Sequence, residues 1–132
     1  MADGIDIPAW IALFIGLYSA SAAIGELRHP GGWVGMVAHF ERDLGLRFLT
    51  GIVCLGLGAA IYLVSPWRPG DWLAVLVTVI GGGMVVEGAL ILAFGDNFLA
   101  FARRLMGAAY RLWAVLSLLL GAALIVAALL RL

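Results

Sequence analysis

The chain has 132 residues and zero formal net charge; 64% of the residues are hydrophobic and 12% are charged. A water-soluble domain carries about 25% charged residues, so this composition excludes an ordinary soluble domain and indicates a surface covered by lipid. Zero net charge gives no basis for nucleic-acid binding. The length suits a single membrane domain covering residues 1–132.

The first predicted membrane span covers residues 8–25. Pro8 suits the first turn of a helix, where its missing N–H would be unpaired anyway, and Trp10 marks the membrane interface. Residues 20–22 resemble a signal-peptide cleavage site, but the preceding MADGIDIP contains two aspartates and no lysine or arginine. A signal peptide carries positive charge there, so we expect a retained helix.

Two amphipathic segments are too short and too charged to cross a bilayer. In residues 33–44, apolar side chains recur at helical spacing from Trp33 onward. Residues 97–106 repeat this pattern, with Arg103 and Arg104 off the apolar face. Both segments are predicted to be helices that lie in the membrane interface.

Three further spans are predicted at residues 46–65, 72–94 and 112–130. Pro66 ends the second span, and Trp67 and Trp72 flank the following turn as interface anchors. Trp113 has the same role at the entrance of the fourth span. The predicted fold is therefore an all-α integral membrane four-helix bundle with two interfacial helices.

The arginines predict the orientation of this bundle. Six lie in the connections after the first and third spans, and two lie in the N-terminus, the middle turn and the C-terminus together: Arg28, Arg42, Arg47, Arg103, Arg104 and Arg111 against Arg68 and Arg131. Positively charged segments remain in the cytoplasm. Both termini are therefore predicted to face outward and both interfacial helices inward.

The two halves of the chain share one plan, which predicts an internal repeat. Residues 33–40 map onto 98–105 at an offset of 65, and residues 57–61 map onto 120–124 at an offset of 63. Glu26 and Glu87 follow a tryptophan by 16 and 15 residues, so they are predicted to be equivalent. Each half crosses the membrane twice, which makes the repeat parallel, about an axis along the membrane normal.

Small residues form a stripe on each span. In lipid, small residues let helix backbones approach closely. The stripes predict helix-packing contacts at Gly51, Gly58, Gly81, Gly88, Ser117 and Gly121. A glycine-lined path for a substrate is the alternative.

Glu87 lies deep in the third span, seven residues before Phe94 and therefore roughly 10 Å from the nearer interface. A charge in the membrane is costly, so this carboxylate needs a partner or a task. The preferred prediction is an ion pair with Arg111. A Glu26–Arg47 pair would be its counterpart in the other half.

Two alternatives remain for Glu87. The carboxyl group is protonated and hydrogen-bonds a backbone carbonyl, Tyr62 or Tyr110, or it takes up and releases a proton or cation during transport.

No cofactor or metal is expected. His29 and His39 lie outside the spans, whereas haem ligation in a bundle needs histidines that face its interior. Cys54 stands alone in an apolar run and is predicted to be a small packing residue. The sequence shows no nucleophile–base set, so an enzyme is not expected.

The runs ERDLGLRFLTGIVCLGLGAAIYLV and WRPGDWLAVLVTVIGGGMVVEGALILAF resemble the uncharacterised family of small four-helix inner-membrane proteins of bacteria. The resemblance implies fold and location, with both termini then periplasmic, and it implies no activity. The exclusive use of arginine over lysine fits a GC-rich bacterial genome.

The preferred functional prediction is a non-catalytic accessory or structural subunit, or a self-associating scaffold, that forms a homo-oligomer or joins a larger membrane complex. The alternative is a proton- or cation-coupled transporter or channel, working as a homodimer with Glu87 as the coupling carboxylate. A lipid- or pigment-binding module is a third option.

Overall fold

Five α-helices form the part of the chain that the structure, a computed structural model, describes: residues 5–132 without the side chain of Tyr110. They are α1 (Ile7–Arg28), α2 (Gly32–Arg42), α3 (Leu44–Val64), α4 (Trp72–Ala108) and α5 (Tyr110–Arg131). All except α2 include a segment long and apolar enough to cross a membrane. The all-helical class and the four long apolar helices are therefore confirmed.

Short polar side chains and one glycine determine where the helices begin. Asp6, Asp43 and Asp71 accept hydrogen bonds of 3.1–3.3 Å from backbone N–H groups in the first turns of α1, α3 and α4. These bonds satisfy donors that have no partner within the helix. Gly31 precedes α2 with φ +97°, a conformation that glycine adopts without steric cost.

α4 differs from the prediction because it joins the third span and the second amphipathic segment. It runs for 37 residues and is kinked at Phe94, where φ is −132° and ψ is 42°. Arg103, beyond the kink, binds Glu41 of α2, so the second part of α4 lies beside α2. In the first half of the chain, α1 continues to Arg28, three residues past its predicted end.

The helices pack as two close pairs, α1 with α5 and α3 with α4. Contacts between α1 and α4 join the pairs. The core lies among α1, α4 and α5 and consists of small and aliphatic residues: Ala9, Ala12, Leu73, Val77, Leu124 and Ala128. α3 lies at the edge, and its buried residues are Gly51 and Gly58.

The two ends of the bundle contain different chain segments and different charged residues. Arg131 binds Asp6 and Asp71, so the start of α1, the end of α5 and the turn between α3 and α4 lie together at what we term the Arg131 end. The opposite end holds α2 and the connections before α3 and α5, and we term it the Glu26 end. Between them, large apolar side chains are exposed along all four long helices, from Phe14 on α1 to Leu129 on α5.

Candidate functional site

Glu87 is an exposed carboxylate in the membrane-length part of α4. Its side chain forms no hydrogen bond or ion pair with the described side chains or backbone of residues 5–132. Five other exposed residues lie at helical spacing around it. Together with Glu87 they form what we term the Glu87 face: Val79, Gly83, Val86, Glu87, Leu90 and Phe94. A Cβ atom added at Gly83 would meet nothing within 4 Å, so the face is open one turn before the carboxylate.

The predicted ion pair between Glu87 and Arg111 is not formed. α5 packs along α1 and meets α4 at few positions, and Arg111 at its start is exposed. Tyr62, the alternative partner, lies beside Gly82 and forms no hydrogen bond with the carboxylate among the described residues. The side chain of Tyr110 lies outside the described part of the chain. A protonated or ion-exchanging Glu87 stays a prediction.

Glu26 binds the start of α2 instead of Arg47, which corrects the second predicted ion pair. Glu26 is only 2% exposed, and its carboxylate accepts hydrogen bonds from the backbone N–H groups of Gly31 at 3.2 Å and Trp33 at 3.0 Å. Arg47 donates to two carbonyl groups in the last turn of α2. The two side chains therefore satisfy backbone groups at opposite ends of one short helix.

A cluster of three charged residues at the Arg131 end was not predicted. Arg131 donates to Asp6 at 3.0 and 3.2 Å and to Asp71 at 2.7 and 2.8 Å. The hydrogen bonds from Arg131 are the main reason why the pKa of Asp71 lies below its ordinary value. One guanidinium thus connects the first turns of α1 and α4 to the last turn of α5. The sequence signal is an aspartate at the start of each half, 65 residues apart.

Four of the predicted packing glycines lie where α3 and α4 approach each other. A Cβ atom added at Gly58 would lie 2.6 Å from the carbonyl oxygen of Gly81, and one added at Gly88 would lie 2.7 Å from that of Gly51. Real Cβ atoms do not approach so closely. This helix contact therefore requires the absence of side chains at these positions.

The other close contact joins α1 to α5. A Cβ atom added at Gly121 would lie 2.7 Å from the carbonyl oxygen of Gly16. Ser117, the remaining predicted packing residue, contributes its carbonyl oxygen, which accepts a hydrogen bond of 2.7 Å from the hydroxyl of Ser19. Both helix pairs are therefore held by backbone groups at short distance.

The residues predicted at the membrane interfaces lie at both ends of the bundle. Trp10, Trp67 and Trp72 are exposed at the Arg131 end. Trp33 and Trp113 are half-buried at the Glu26 end, where the indole N–H of Trp113 donates to a carbonyl oxygen of α4 at 3.0 Å.

The two adjacent arginines in the second part of α4 differ in their contacts. Arg103 forms an ion pair of 2.6 Å with Glu41, whereas Arg104 is exposed and has no ion pair among the described residues. Arg103 therefore connects α4 to α2 through an ion pair, whereas the Arg104 side chain is exposed on the surface.

Comparisons of the chain with protein-family models, with curated proteins and with solved structures find no match. Its function must therefore be inferred from its own residues. Among the residues predicted for an intramembrane site, Glu87 and Arg111 lie in membrane-length helices and have no hydrogen bond or ion pair among the described residues. Arg111 is the second residue of α5, whereas Glu87 lies in the interior of its helix.

Proposed function

We propose that this chain is a small, non-catalytic polytopic membrane protein that acts as an accessory or self-associating subunit and docks through the Glu87 face. One observation carries the proposal: Glu87 is exposed on a membrane-length apolar helix and has no hydrogen-bond or ion-pair partner in the described chain. A charged side chain at the centre of the bilayer costs roughly 2.5–3.5 kcal/mol on insertion scales. A partner that binds the carboxyl group recovers part of this free energy.

In this proposal the chain lies in the bacterial inner membrane with both termini periplasmic. The support is the distribution of arginines, six at the Glu26 end and two at the Arg131 end. Since positive charge is retained in the cytoplasm, the Glu26 end faces the cytoplasm.

The proposal includes the parallel repeat, with α1 equivalent to α4 and α3 equivalent to α5. Its support is a pair of matched contacts. An offset of 65 carries Gly16 onto Gly81, and an offset of 63 carries Gly58 onto Gly121. Gly16 meets Gly121 and Gly81 meets Gly58, in both cases at a glycine carbonyl oxygen. In both contacts the first span of one half packs on the second span of the other half: α1 on α5, and α4 on α3.

The offset of 65 revises the predicted equivalence of the two glutamates. It aligns Glu26 with Ile91, which are 2% and 3% exposed, and it aligns Glu87 with Ala22. Glu87 therefore has no counterpart carboxylate in the first half. An unmatched carboxylate fits a docking function, which needs one face of the bundle.

The transport alternative expects Glu87 to line a water-filled cavity. A cavity of about 180 Å³ beside Asp6 and Arg68 lies at the Arg131 end, and a shallower one lies at the same end between Trp72 and the last turns of α5. Neither includes Glu87. These two cavities therefore give the transport alternative no support, whereas the exposed and unpartnered Glu87 among the described residues supports docking.

Site-specific photo-cross-linking in native membranes tests the proposal. The photoreactive residue replaces Leu90 on the Glu87 face or, as a matched control, Leu116 on α5; these residues are 37% and 46% exposed and lie near the same end. We expect a protein adduct from position 90 that disappears with Glu87→Leu and persists with Glu87→Gln. Position 116 should give lipid adducts.

Lipid adducts alone at both positions would show that the Glu87 face has no protein partner. A protein adduct at position 90 that is unchanged in Glu87→Leu would show that the carboxyl group does not contribute to docking. Either result overturns the proposal.

A further inference from the structure

We infer that the partner of the Glu87 face is a second copy of this chain, which forms a two-fold dimer with the two Glu87 carboxyl groups hydrogen-bonded to each other. This inference rests on the proposed function and names the occupant of the same face. Two properties of the face support it: the self-complementary chemistry of the carboxyl group and the open surface around Gly83.

A carboxyl group is self-complementary when at least one proton is present. The protonated form has one O–H donor and free acceptor positions, so two such groups, or one of them with a carboxylate, hydrogen-bond directly to each other. Two ionised carboxylates at the same distance would repel. In hydrocarbon, with no water to bind, this mutual pairing satisfies both groups.

Residues 5–132, as the structure describes them, provide no cation that pairs with Glu87. The nearest arginine of the adjacent helix, Arg47, lies near the start of α3 and donates to carbonyl groups of α2. Arg111 lies at the start of α5. A second copy therefore presents to Glu87 another carboxyl group in place of a guanidinium.

The geometry of the face permits close approach between two α4 helices. Gly83 lies one turn before Glu87 and has open space where a side chain would stand, so two backbones can cross there. Two copies inserted with the same orientation place their α4 helices at equal depth, and a two-fold axis brings each residue near its own counterpart. Val79, Val86 and Phe94, which are 58–59% exposed, then become buried beside the crossing point.

Disulfide cross-linking of the purified chain in liposomes is the first test. In a Cys54→Ala background, Leu90→Cys reports on the Glu87 face and Leu116→Cys on α5. We expect an oxidised dimer with Leu90→Cys and none with Leu116→Cys, because a disulfide needs Cα atoms within about 7 Å. Val86→Cys is a second reporter on the same face if Leu90→Cys does not fold.

Energy transfer between labelled copies in the same liposomes measures the strength of association. Glu87→Leu should raise the dissociation constant by about 3- to 15-fold, the range expected for interhelical hydrogen bonds in membranes. Glu87→Gln, whose amide is also both donor and acceptor, should remain close to the wild type. This pair of variants separates loss of hydrogen bonding from loss of charge.

The outcomes distinguish this inference from the proposed function. No disulfide dimer at positions 86 and 90, an equal yield at position 116, or a dissociation constant unaffected by Glu87→Leu would overturn the second-copy inference. A photo-adduct from position 90 to a different protein, with the purified chain monomeric, would overturn the inference and leave the docking function standing. Lipid adducts alone at position 90 would overturn both.

Discussion

Gly58→Ala tests the close packing of α3 on α4. The added Cβ atom would lie 2.6 Å from the carbonyl oxygen of Gly81, 2.7 Å from the Cβ of Met84 and 2.7 Å from the backbone nitrogen of Val85. Two of these neighbours are backbone atoms and cannot rotate away. Ordinary contact begins at 3.4 Å, so α3 must withdraw by about 0.8 Å, the difference between 3.4 and 2.6 Å, from the helix that provides its main contact.

The expected penalty follows from comparison with a glycine on the same helix. Overpacking costs about 1–3 kcal/mol, while alanine favours a helix interior over glycine by about 0.5–1 kcal/mol. Gly56, two residues earlier, has nothing within 4 Å of an added Cβ, so Gly56→Ala gains the helix propensity alone. The propensity contribution cancels in the difference, and Gly58→Ala should be less stable than Gly56→Ala by about 1–3 kcal/mol.

Free energies of unfolding in bicelles, measured by steric trapping, provide the comparison. A difference below about 0.5 kcal/mol between the two variants would refute the close α3–α4 contact, since surface substitutions fall within that range. Gly121→Ala in α5 should carry a similar penalty, because its Cβ would lie 2.6 Å from the backbone nitrogen of Ala20. Unequal penalties at Gly58 and Gly121 would count against the proposed repeat.

Two further predictions concern the charged residues at the ends of the bundle. Because the folded pKa of Asp71 is lowered, chiefly by hydrogen bonds from Arg131, its contribution to stability is present above the ordinary aspartate pKa of about 4 and is lost as the pH falls through the folded pKa. The free energy of unfolding measured against pH should show this acid loss, and Arg131→Gln should diminish it; an identical pH profile in the variant would contradict the contact. Glu26→Gln should increase hydrogen exchange of the backbone N–H groups in the first turn of α2, because an amide has one acceptor oxygen where the carboxylate uses two. Glu41→Gln, which affects an ion pair elsewhere on α2, is the control, and equal exchange in both variants would refute the capping function of Glu26.

The four long helices could be predicted because their signals are local. Each is a continuous apolar run with local boundary signals. Pro66 follows the end of α3, and Asp71 precedes the start of α4. The capping of α2 by Glu26 could also have been predicted from the sequence, because its partners Gly31 and Trp33 follow Glu26 within seven residues. The prediction that Glu26 pairs with Arg47 did not consider that the first N–H groups of every helix have no partner within the helix and can bind a carboxylate.

The arrangement of the helices could not be derived in the same way. Apolar periodicity does not show that α1 packs on α5, a contact between residues about 100 positions apart such as Ser19 and Ser117. This pairing leaves Arg111 away from Glu87, and it brings Arg131 between two aspartates 65 residues apart. Helices in lipid associate where small residues let their backbones approach closely. Many helix pairs in this chain have small residues, so the sequence does not identify which pairs form.

In the proposed function, Glu87 contributes to association between chains and not to the stability of a single chain. The most direct test measures two quantities on Glu87→Leu in the same bicelles: the free energy of unfolding of the dilute chain and the dissociation constant of the complex that the Glu87 face forms. We expect an unfolding free energy that is unchanged within about 0.5 kcal/mol, or higher because a carboxyl group leaves the hydrocarbon, together with weakened association. A loss of unfolding free energy above about 1 kcal/mol with unchanged association would show that Glu87 is a structural residue of the bundle and would contradict the proposed function.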